Sequence, residues 1–90
     1  MAEHVILISP SRPGHFDARL AGDKVFLVED SRRPFHDSAR ALFAAGLALA
    51  DDSIVMRYSG GLGYDLLRAR IDDAADLAPR EICGREISLF

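Results

Sequence analysis

The chain has 90 residues, 49% hydrophobic and 28% charged, with a net charge of −3. That makes one small domain, too apolar for a disordered segment and without the basic balance of a nucleic-acid binder. A single cysteine, Cys83, cannot form an internal disulfide, which excludes a stapled secreted fold and points to the cytoplasm.

Val5-Ile6-Leu7-Ile8 is a short continuous apolar run and predicts a buried strand. It is too short for a signal-peptide core, and Glu3 is not the positive flank such a peptide needs. With Met1 at its start, the chain is expected to need no processing. No run approaches the roughly 18 residues of a membrane span. Ser9 to Gly14, with Pro10 and Pro13, is turn chemistry. His15 to Leu20 alternates, placing Phe16, Ala18 and Leu20 on one face of a half-exposed strand. Gly22-Asp23 predicts a two-residue hairpin turn. Lys24 to Glu29 returns as a buried strand around Val25-Phe26-Leu27-Val28, completing a three-stranded meander.

Ser31-Arg32-Arg33-Pro34 opens a helix, since proline suits a first turn. Asp37 lies near its positive end. Phe35, Ala39, Leu42, Phe43 and Gly46 recur at helical spacing. Gly46 is expected to end the helix in a left-handed conformation, with Leu47 folding back on Leu42. Asp51-Asp52-Ser53 is a loop, and Ile54 to Tyr58 a strand. A glycine loop follows, then a second helix from Tyr64 to Leu77. Its buried face is Leu67, Ile71, Ala74 and Ala78, with a charged row of Arg68, Asp72 and Asp76. Pro79 ends it, and Arg80 to Phe90 reads as a kinked strand or weak hairpin around Gly84. The order is βββαβαβ: a single α+β domain over residues 1–90, a mostly antiparallel sheet with two helices on one face.

GHFDARL, SRRPFHDSARALFAAGL, IVMRYSGG and LLRARI, within residues 14–78, resemble a group of small bacterial α+β proteins often encoded near prophage genes. The shared patterns are F-x-A-R-L, S-R-x-P-F-x-x-x-A-R-x-L, M-R-x-x-G and L-R-x-x-I. This chain departs at His36, where an aliphatic residue is expected, and in the loop after Arg57. The resemblance implies a domain that recurs as a unit. It implies no activity.

The loop Ser59, Gly60, Gly61 and Gly63 raises the question of phosphate binding. Gly61-Leu62-Gly63 begins a dinucleotide fingerprint, but Leu66 stands where the third glycine belongs. No Gly-Lys-Ser/Thr follows, and Arg57 occupies the glycine position of a nucleophile elbow around Ser59. A plain turn is the first reading, anion binding the second. Arg32 and Arg33 ahead of Pro34 form the stronger candidate, because free N–H groups at a helix start and two guanidiniums favour an anion. Arg12 and Arg57 join that site if the sheet brings them near. Pairing with Glu29, Asp30 or Asp37 would reduce the arginines to a solvated loop.

His4, His15 and His36 lack metal spacing, and Cys83 has no C-x-x-C partner. Asp72, Asp73 and Asp76 lack the turn glycine of a calcium loop. No cofactor, metal or catalytic residue is assigned. The expected function is an interaction or adaptor module with a protein partner or a second copy as homodimer. A sheet edge or the apolar tail Ile87–Phe90 would supply the contact. The alternative is weak binding of nucleic acid or a phosphate ligand through the arginines. An enzyme ranks last, since no catalytic constellation is complete.

Overall fold

Alternation along β1 (Glu3–Arg12) and β4 (Ser53–Tyr58) decides which side of the sheet the helices cover. Ile6, Ile8, Ile54 and Met56 are buried on one face. Val5, Leu7 and Arg57 alternate to the other. The computed structural model describes residues 2–61 and 63–77, and the backbone of 81–82 and 85–86.

β1, β2 (His15–Leu20) and β3 (Phe26–Ser31) form the antiparallel meander expected from the sequence. α1 (Pro34–Ala44) then carries the chain back across the sheet to β4, which pairs parallel with β1. β4 pairs antiparallel with β5 (Leu67–Arg70), giving the order β3-β2-β1-β4-β5. α2 (Ile71–Ala74) follows at once. Ala39 and Leu42 of α1, and Ile71 and Ala75 in and after α2, join Ile6, Ile8, Ala18, Ile54 and Met56 in one core. Both helices therefore lie on one face of a mostly antiparallel sheet. β6 (Glu81–Ile82) and β7 (Arg85–Glu86) pair antiparallel with each other, apart from the main sheet.

α1 stops as its sequence foretells. Gly46 takes φ 74°, Gly46 N–H donates to Phe43 C=O at 3.0 Å, and Leu47 N–H to Leu42 C=O at 2.9 Å. These are the two bonds of a Schellman end. At the other end Pro34 is the first helical residue, and Ser31 Oγ accepts from Arg33 N–H and donates to Asp37.

Four expectations need correction. First, β1 runs through Ser9 to Arg12 where a turn was expected. Ser59 N–H donates to Ile8 C=O, so even-numbered β1 residues face β4. Pro10 faces the same way, beyond Tyr58 where β4 ends, so its missing N–H costs no ladder bond. Second, the β2–β3 turn closes by Asp23 N–H to Leu20 C=O, with Ala21-Gly22 at its centre. Third, β3 begins at Phe26 and is an edge strand, leaving Val25 exposed.

Fourth, residues 64–70 are not helical. Leu67 and Ala69 alternate with Arg68 and Arg70 in register with Met56, Val55, Ile54 and Ser53. Period two fits this stretch as well as the helical period, and pairing to the already buried β4 decides between them. The charged row dissolves with the helix: Arg68 pairs with Glu3 and Asp65, and Arg70 with Asp72. Ala78, Pro79, Arg80, Cys83, Gly84 and the tail Ile87–Phe90 lie outside the described residues.

Candidate functional site

β1, β3 and β4 run in one direction, so their carboxyl ends deliver three loops to one end of the sheet. These are the β1–β2 turn at Pro13-Gly14, the β3–α1 link at Arg32-Arg33, and the loop from Ser59 to Leu66. Arg12, Arg32 and Arg33 are thereby gathered at that end.

Charge pairing divides them. Arg12 donates from Nε and Nη2 to the two carboxylate oxygens of Asp30, at 2.9 and 2.8 Å. Ser11 Oγ donates to the same carboxylate at 3.0 Å. These bonds, the arginine's foremost, hold the Asp30 carboxyl below the usual carboxylate range. Asp30 itself sits at φ 54°, its N–H donating to Asp17 Oδ1 at 2.8 Å. Arg32 Nε donates to His15 Nε2 at 3.3 Å, while His15 Nδ1–H donates to Pro13 C=O at 3.1 Å. The two bonds together require the Nδ1–H tautomer of His15. The Arg33 guanidinium has no hydrogen bond or ion pair among the described residues.

Arg57 goes elsewhere. It lies on the helix-free face, where Nε donates to Asp65 Oδ1 at 2.7 Å. Asp65 also accepts from Arg68 Nη2 at 2.8 Å, and Arg68 reaches on to Glu3. Both arginines, Arg57 first, hold the Asp65 carboxyl low. Glu3 belongs to β1 and Arg68 to β5, with β4 between them. Their ion pair therefore arches over β4, where Val55 stands opposite both Val5 and Arg68. The aliphatic stems and paired heads explain why Val55 is fully buried on a face without helices.

The glycine loop makes a shallow hollow lined by Tyr58, Gly61, Gly63, Tyr64 and Leu66. Gly60 and Gly63 take φ 75° and 83°, a backbone that other residues adopt at a cost. At Gly61 a Cβ would stand 3.2 Å from the Tyr58 Cβ and carbonyl oxygen, a tight contact to which Tyr58 would have to yield by a few tenths of an ångström. The glycines are thus explained by the turn. Ser59 N–H is spent on the β1 ladder and Gly61 N–H on Tyr58 C=O, so neither aims at a ligand. Around the hollow, Tyr58, Tyr64 and Leu66 stand exposed.

Two polar knots draw on partners distant in the chain. Asp52 is buried and accepts from Ala2 N–H (3.0 Å), Leu49 N–H (2.9 Å) and His4 Nε2 (2.9 Å). His4 first, then the two backbone donors, hold its carboxyl far below the ordinary range. His36 ties the helices together: Nδ1–H donates to Ala74 C=O at 2.7 Å and Nε2 accepts from Arg40 at 2.8 Å. Among the described residues no group of His, Cys, Asp and Glu is arranged to hold a metal, and no helix is long and apolar enough to cross a membrane. No protein-family model, no curated protein and no solved structure matches the chain.

Proposed function

We propose that this chain is a small cytoplasmic interaction module that binds a protein through the β4–β5 loop and the strand leaving it. One observation carries the reading: Tyr58, Tyr64 and Leu66 are exposed around a glycine-shaped hollow at the end of the sheet. Tyr-Ser-Gly-Gly-Leu-Gly-Tyr has the composition of a binding loop, with rigid amphipathic rings for area and small residues for fit. The arginines argue the other way for an anion site, since Arg12 and Arg57 are each occupied by a carboxylate. The cytoplasmic setting is supported by the single thiol.

The test is retention of a partner from bacterial lysate by immobilised wild type and by the Tyr58→Ser/Tyr64→Ser variant. The expected result is a specific protein held by the wild type and lost by the variant. Equal retention by both, or none, rejects the module.

A second reading has its own observation. Arg33 is unpaired among the described residues and stands at the start of α1, with Arg32 beside it. A phosphate ligand or nucleic acid would suit that end of the helix. Anisotropy of labelled DNA and RNA oligomers, at low and high salt, with wild type and Arg32→Ala/Arg33→Ala, decides it. Binding that falls with salt and with the variant supports this reading; no binding at low salt removes it.

A further inference from the structure

We infer that the outer edge of β5 takes an extended, acidic peptide strand of the partner, as a sixth strand of the sheet. The inference rests on the interaction-module reading and names the chemistry of what is bound.

The main sheet ends in two edges, β3 and β5, and they differ. β3 is broken by two register shifts and by Asp30 in the left-handed region, with Glu29 and Asp30 exposed on it. Irregularity and charge of this kind block strand addition. β5 has four consecutive pairs with β4 and no shift. Among the described residues, β6 and β7 pair with each other and no strand pairs with the outer side of β5. Ile71 N–H donates to Asp52 C=O at 2.8 Å, so alternation makes Leu67 and Ala69 the residues bonded to β4. The N–H and C=O of Arg68, and the N–H of Arg70, then point outward, and none has a partner among the described residues. Such an edge accepts a strand by main-chain bonds, with side chains at alternate positions setting specificity.

Charge selects the occupant. Arg68 and Arg70 share the helix-free face of β5. If a second copy added its own β5, each outward register would set arginine against arginine, and like charges directly opposite are unfavourable. A strand with acidic residues on that face meets guanidiniums instead. Arg68 and Glu3 are both about half exposed, a pair weak enough to exchange, while the Arg70 guanidinium is more than half in water beside the more enclosed Asp72. The hollow at Tyr64 and Leu66 adjoins the start of the strand and gives an apolar residue of the peptide its seat.

The probe is a blocked eight-residue peptide alternating Glu and Val, against one alternating Lys and Val. Amide chemical shifts and hydrogen exchange of wild-type protein report the site. The expected result is protection of the Arg68 and Arg70 amides by the Glu peptide, weakened by salt, with at least about tenfold weaker binding of the Lys peptide. Arg68→Glu/Arg70→Glu should reverse that preference. Equal binding of both peptides, protection at β3 instead, or no binding overturns the inference. So does protection of Arg68 and Arg70 without peptide together with a dimeric mass in light scattering, because a second copy would then hold the edge. If Tyr58→Ser/Tyr64→Ser still loses a captured protein while the peptides fail, the module stands and only the strand addition falls.

Discussion

Two buried polar positions on the helix-covered side are treated in opposite ways. Asp52, at the foot of β4, collects three donors, from the N-terminal segment, the α1–β4 link and His4. Ser38, on the inner side of α1, is fully buried and its hydroxyl bonds to nothing among the described residues. One polar group organises its surroundings and the other is tolerated by them. The difference shows that burial alone does not make a polar side chain structural; what counts is how many neighbours would lose a partner if it went.

The largest expected effect follows from Asp52. Asp52→Ala would leave Ala2 N–H, Leu49 N–H and His4 without their acceptor, and the melting temperature should fall by more than roughly 8 °C. A drop of only a degree or two by circular dichroism would place Asp52 on a level with Ser38. Acid gives the same comparison a second axis. The folded carboxyl is held below its unfolded value, so the unfolded chain takes up the proton first. The stability it contributes is present above about pH 4 and is lost as pH falls through and below that value. Asp52→Asn should therefore flatten the loss of stability between pH 5 and pH 2, values set by the unfolded carboxylate range. An unaltered slope would assign the acid sensitivity to other carboxylates.

Ser38→Ala should move the other way. It removes an unsatisfied hydroxyl and raises helix propensity, for a gain of about 0.5–1 kcal/mol. A loss of stability in urea unfolding would mean the hydroxyl has a partner, and the contrast with Asp52 would close.

Sequence periodicity read the strand order of the meander, α1 and its glycine end, though not the reach of β1, the centre of the β2–β3 turn or the exposed edge at β3, because each of the first three was carried by a local signal: alternation, a stripe, a left-handed glycine. It failed at Leu67–Arg70, where four residues fit either period and the strand is chosen by β4, a neighbour twelve or more residues away for most of its pairs. The candidate site shows the same division. That Arg32 and Arg33 flank a helix start was legible. That Arg57 turns to the opposite face, to meet Asp65, depends on the strand's phase and on a loop folding back. Asp52 carried no signal at all beside Asp51, since its three donors come from segments as far as fifty residues away.

The smallest expected effect belongs to Arg12. Its two bonds to Asp30 have good bidentate geometry, which taken alone would suggest a strong contact. Both side chains are nonetheless largely in water, with relative exposures of 62% and 45%. Exposed pairs give up much of their Coulomb attraction to solvent and to side-chain ordering. Asp30 also keeps Ser11 as a donor, and its backbone stays tied to Asp17 when the arginine is gone. Arg12→Ala should therefore change the melting temperature by less than about 3 °C, and what change there is should shrink as salt rises. A shift as large as that of Asp52→Ala would mean the pair pins the left-handed turn at Asp30, making this end of the sheet a second structural knot.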